Sequence, residues 1–69
     1  MPMIQINLLA GHTDAEKRAL LSAVTHAVMT SIGAKQSSVR VWISELEPTE
    51  IMIAGEVVAD KRSQPGTAT

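Results

Sequence analysis

Between Met3 and Leu9 the chain alternates, with Ile4, Ile6 and Leu8 on one side and Gln5 and Asn7 on the other. This period of two predicts a β-strand with one buried face. Ala10-Gly11-His12 is a short connector, and Thr13 followed three residues later by Glu16 forms a capping-box pattern. Hydroxyl and carboxylate then each satisfy a backbone N–H left over at a helix start. The period changes to that of a helix, predicted from about Asp14 to Ile32. Leu20, Leu21, Val24, Ala27, Val28 and Ile32 share one arc, expected to be buried, and Arg18, Ser22, Thr25 and His26 lie opposite. Gly33 stands where a left-handed residue closes a helix.

After a polar link over residues 34–38, Val39, Val41 and Ile43 alternate with Arg40, Trp42 and Ser44, a second strand. Two strands joined by a helix of this length suit a right-handed β-α-β crossover, so the strands are expected to be parallel with the helix on one face. Trp42 and Arg40 fall on the uncovered face. Because a two-stranded sheet is too narrow to stand alone, another subunit is expected to cover that face and extend the edge. Glu47-Pro48-Thr49 is turn chemistry, and Ile51-Met52-Ile53 before Ala54-Gly55 suggests a short hairpin whose edge pairs between subunits. The class expected is α+β. Residues 1–61 form one domain, and residues 62–69, which have no apolar period, form a flexible C-terminal tail.

Length sharpens the need for partners. At 69 residues the core is small, and with no cysteine there is no disulfide to reinforce it. The two histidines, His12 and His26, lie in different elements without the spacing of a metal pair, so no metal is expected and oligomerisation is the default. A formal charge of -1 and a single aromatic residue, Trp42, leave neither a basic footprint nor stacking platforms, which argues against nucleic acid. No apolar stretch is long enough to span a bilayer, and the first residues lack the blocks of a signal peptide. The chain is read as soluble, intracellular and cytoplasmic.

Three residues carry possible chemistry. Removal of Met1 exposes the Pro2 nitrogen as a secondary amine, whose pKa falls in an apolar pocket until it serves as a general base near neutral pH. Alternatively Pro2 simply begins a strand, where its missing N–H does no harm. Arg40, a charge within an apolar strand, can clamp a substrate carboxylate, or else pair with Glu45, Glu56 or a carboxylate of another subunit. His12 can bind an anion or move a proton, or remain solvated in its loop. Trp42 reads as an interface anchor and His26 as a solvated residue. Ser37-Ser38 lacks both a base pattern and nucleophile-elbow glycines, against a serine hydrolase.

Met1-Pro2, Leu9-Ala10-Gly11, Thr13-Asp14-x-x-Lys17, Ser38-Val39-Arg40-Val41 and Ile53-Ala54-Gly55-Glu56, in this order and spacing from Pro2 to about Lys61, resemble the 4-oxalocrotonate tautomerase family. The resemblance implies a β-α-β protomer with a short C-terminal hairpin, dimers with a four-stranded sheet and a hexamer built from three dimers. It further implies a tautomerase of aromatic-compound catabolism that uses no metal or organic cofactor. In the family the amino-terminal proline takes a proton from a dienol or enol acid and returns it at a distant carbon, a role that falls to Pro2. A strand arginine from a neighbouring subunit binds the substrate carboxylate and adjacent oxygen, and Arg40 occupies that position.

There are two departures. Where typical members carry a second arginine for the far carboxylate of a dicarboxylic substrate, this chain has His12. Where an aromatic residue commonly helps keep the proline pocket apolar, it has Ile51. The implied partner is a small unsaturated carboxylic acid, and the implied assembly a homohexamer, with a heterohexamer containing a related small chain as the alternative. Two other readings stay open: a hydratase or dehalogenase subunit, and a non-catalytic oligomeric binding protein of the same fold.

Overall fold

The computed structural model describes residues 1–62. Strand β1 spans Met3–Leu9, helix α1 Asp14–Ile32 and strand β2 Arg40–Leu46. β1 and β2 pair in parallel from Met3 opposite Arg40 to Leu9 opposite Leu46, so paired residues share a face. α1 packs on the face carrying Ile4, Ile6 and Leu8 beside Val41 and Ile43. The other face carries Met3, Gln5 and Asn7 beside Arg40, Trp42 and Ser44, and no element among the described residues packs on it. Met3 there is 65% exposed and Trp42 41%. The expected β-α-β unit is present, and among the described residues no helix is long and apolar enough to cross a membrane.

Both ends of α1 form as their sequence requires. The Thr13 hydroxyl accepts from the Glu16 amide at 3.1 Å, and the Glu16 carboxylate accepts from the Thr13 amide at 2.8 Å, completing the capping box. Gly33, at φ 70°, ends the helix by donating its N–H to the Met29 carbonyl. The helix face is corrected in part. Ala27 and Ile32 are exposed, whereas Thr25 and Met29 are half-buried, so the covered arc is rotated toward Thr25. Thr25 tolerates this because its hydroxyl donates to the Leu21 carbonyl at 2.8 Å. Ile32 is left out for a different reason: a 19-residue helix is about 28 Å long, whereas a seven-residue strand extends roughly 23 Å.

A 3₁₀ turn at Gln36–Ser38 leads into β2, and a second, at Pro48–Glu50, leads out of it. The hairpin then forms from β3, Met52–Ile53, and β4, Glu56–Val57, followed by a short helix α2, Val58–Arg62. Ala54 at φ 55° and Gly55 at φ 82° make the turn, both left-handed, as a two-residue hairpin demands. These elements pack on one another and on the Pro48–Glu50 turn, and have no extensive contact with α1 or the β1–β2 sheet. Arg62, which was expected to open the tail, instead closes α2; the rest of that expected tail, residues 63–69, lies outside the described residues.

Little of this chain is sealed from water. Val58 is the one buried hydrophobic residue among those described, at 8% exposure, while Met52 and Ile53 are both 61% exposed. A radius of gyration of 15.5 Å compares with about 11 Å for a compact chain of this length. The protomer is therefore drawn out, with apolar surface on the open sheet face and on the hairpin.

Candidate active site

Pro2 sits just before β1, half-buried, and its carbonyl accepts the Arg40 backbone N–H at 2.9 Å. This bond continues the ladder one step beyond Met3 and Arg40. Proline is suited to the place because only its carbonyl is used there and no N–H is needed. In the structure Met1 is joined to Pro2, so the Pro2 nitrogen is an amide, and it becomes a basic secondary amine on loss of Met1.

Arg40 begins β2 on the open face and is exposed. Its Nη1 donates to the Ser37 carbonyl at 2.9 Å, which draws the side chain toward the Gln36–Ser38 turn and leaves its remaining N–H donors without a partner among the described residues. The pairing with Glu45 that the sequence allowed does not form. Glu45 lies on the helix-covered face, where it meets Lys17 of α1 at 3.5 Å. Among the described residues no carboxylate is in ion-pair contact with Arg40.

His12 lies at the other end of β1, exposed in the connector before α1, with Nδ1 3.7 Å from a Glu16 carboxylate oxygen. The Thr13 amide, then the Thr13 hydroxyl and finally His12 hold the Glu16 carboxyl below the ordinary glutamate range, against an opposing desolvation effect. Beside it is a small cleft of about 300 Å³ lined by Leu8, His12, Glu16, Lys17 and Leu20. Lys17 is shared between Asp14 at 3.7 Å and Glu45 at 3.5 Å. Ile51 is half-buried between the Pro48–Glu50 turn and β3, and its carbonyl accepts the Val58 N–H at 3.0 Å.

One protomer thus brings Pro2 and Arg40 together and keeps His12 roughly 20 Å or more away, the length of β1. A site containing both Pro2 and His12 needs two copies. A wider cleft of about 500 Å³, lined by Leu21, Ser22, Thr25, His26, Met29 and Gln36, contains none of the four candidate residues. The Lys17–Glu45 pair escaped the sequence reading. Its signal was the position of Glu45, in phase with Val41 and Ile43, which places a carboxylate under the helix.

The family model described as tautomerase enzyme matches residues 2–61. The chain belongs to the tautomerase family. A 2-hydroxymuconate tautomerase of Pseudomonas putida is 40% identical over 55 residues, covering 80% of this chain and 87% of that protein. Among solved structures, a 4-oxalocrotonate tautomerase isozyme of Methylibium petroleiphilum superposes with a TM-score of 0.86 at 35% identity, covering 90% of this chain and 97% of that one. A heterohexamer 4-oxalocrotonate tautomerase of Chloroflexus aurantiacus superposes at 0.83 with 27% identity, covering 87% and 97%. The chain is accordingly an isomerase of the tautomerase type, and its β-α-β fold with a short hairpin is that of these relatives.

Proposed function

We propose that this tautomerase converts a small 2-hydroxydienoate or related enol acid into the conjugated keto acid, with the Pro2 amine as general base. The observation carrying this reading is the 2.9 Å bond from the Arg40 amide to the Pro2 carbonyl. It fixes the prospective base at one end of the open sheet face, where Arg40, with no carboxylate partner among the described residues, is presented to another copy.

The amine of Pro2 takes the proton from the 2-hydroxyl. The oxygen electron pair forms the C2 carbonyl, the C2–C3 double bond moves to C3–C4, and the C4–C5 double bond opens so that its electron pair takes the proton back from the Pro2 ammonium at C5. Proton and electrons all remain within substrate and base, so the step calls for no electron carrier. Arg40 of a neighbouring copy binds the carboxylate and the C2 oxygen, where its guanidinium opposes the negative charge that grows as the proton leaves. Ile51 excludes water from the amine and favours its neutral form. His12 of another copy meets the far end of the substrate.

The assembly in this reading is a homohexamer of three dimers, which covers the open face at Met3 and Trp42. A heterohexamer is the second reading, favoured by the lack, among the described residues, of an uncompensated cation lining the cleft at His12, which a different chain would then supply. The test is ketonisation of a 2-hydroxydienoate by the mature protein and by Pro2→Ala, with intact masses recorded for both. Loss of Met1 and loss of activity in the variant are expected, and undiminished activity in Pro2→Ala removes the proline from the mechanism.

A further inference from the structure

The corner between β1 and α1 has a charge balance of its own. Glu16 lines the cleft with its carboxylate fixed by the Thr13 amide and held ionised, and His12, its neighbour at 3.7 Å, at most cancels that charge when protonated. Lys17, the remaining cation of the lining, stands between two carboxylates, Asp14 and Glu45. Arg18 follows on the helix but is exposed and does not line the cleft. Counting Asp14, Glu16 and Glu45 against Lys17 and Arg18, the corner is net negative with His12 neutral. Leu8 and Leu20 supply an apolar wall.

We infer that the enzyme selects monoanionic enol acids, whose one carboxylate goes to Arg40 and whose uncharged tail lies in the cleft of Leu8, His12, Glu16 and Leu20. This rests on the reading of the site given above, and it names the substrate class. A second carboxylate placed in that cleft would face Glu16 with no unpaired cation among the described lining residues to meet it, and like charges brought together across an interface oppose binding. A short hydrocarbon tail meets Leu8 and Leu20 instead.

The test uses two unreactive acids that differ only in the second carboxylate, hexa-2,4-dienoate and hexa-2,4-dienedioate, titrated by calorimetry into the assembled mature protein. The monoacid is expected to bind at least roughly tenfold more tightly. Glu16→Gln, which keeps the capping pattern while removing the charge, and His12→Arg, which adds a cation, should each narrow that preference by roughly threefold or more. A diacid bound as tightly as the monoacid, no binding of either acid, or a preference unchanged in both variants overturns the inference. Ketonisation of 2-hydroxypenta-2,4-dienoate and of 2-hydroxymuconate, measured alongside, separates the two claims. Failure of the proline mechanism leaves the binding preference intact with neither substrate turned over. Failure of the inference is diacid binding, whatever the turnover.

Discussion

The Arg40 amide donates a 2.9 Å hydrogen bond to the Pro2 carbonyl, so the residue proposed as base is held by the backbone of its own Arg40, while the guanidinium proposed to bind its substrate comes from another copy. That bond belongs to the backbone, and side-chain substitutions at position 40 leave it in place. Arg40→Ala should therefore remove charge stabilisation without releasing Pro2, lowering kcat/KM on a 2-hydroxydienoate by about 10²–10³-fold. Arg40→Lys should recover only part of the loss, because an ammonium lacks the planar fork that grips carboxylate and adjacent oxygen together. Steady-state kinetics of the three proteins measure both effects.

The capping box gives α1 a pH-dependent start. The bonds from Thr13 depress the Glu16 pKa in the folded protein, so their stabilisation is present above the ordinary glutamate pKa and is lost as pH falls through the lower folded value. Acid unfolding should accordingly steepen below about pH 4, and Glu16→Gln should flatten this limb while leaving neutral-pH stability nearly unchanged. Thr13→Ala should cost about 1 kcal/mol at neutral pH. Urea melts of each variant across pH 3–7 check the sign.

Ala54 occupies the left-handed region at φ 55°, where a Cβ crowds the backbone. Ala54→Asn supplies the residue that, before glycine, best suits a two-residue hairpin turn. It should stabilise the protein by up to about 1 kcal/mol, read as a raised melting temperature at fixed protein concentration.

Trp42 and Met3 form exposed apolar surface on the open sheet face. If other copies cover it, Trp42→Glu buries an unpaired charge at the contact and should shift the protein from the proposed hexamer to smaller species on a sizing column. Since Trp42 is the single tryptophan, dissociation of the parent protein on dilution should also move its fluorescence to the red.

Much of this arrangement was legible in the chain because local rules and the global fold agree. Alternation at Ile4, Ile6 and Leu8, the Thr13–Glu16 box and Gly33 each name a boundary through interactions made within a few residues, and each boundary formed where it was expected. Ala27, Ile32 and Thr25 were less legible, since burial at the flank of a helix depends on how it is rotated on the sheet and how far it outruns the strands. The Lys17–Glu45 pair joins elements 28 positions apart in the chain, and only the phase of Glu45 within β2 hinted at it. For the site, sequence nominated Pro2, Arg40, His12 and Ile51, but not their distribution. The parallel register sets Pro2 beside Arg40, whereas the length of β1 separates both from His12.

The most direct test of the account is the Pro2 amine itself. Intact mass spectrometry of the mature protein, paired with ketonisation of a 2-hydroxydienoate by that protein and by Pro2→Ala, reads both its existence and its use. The account predicts a mass lacking Met1 and a loss of about 10²–10⁴-fold in kcat/KM for the variant. A fully active protein that retains Met1, or a Pro2→Ala variant as active as its parent, would contradict it.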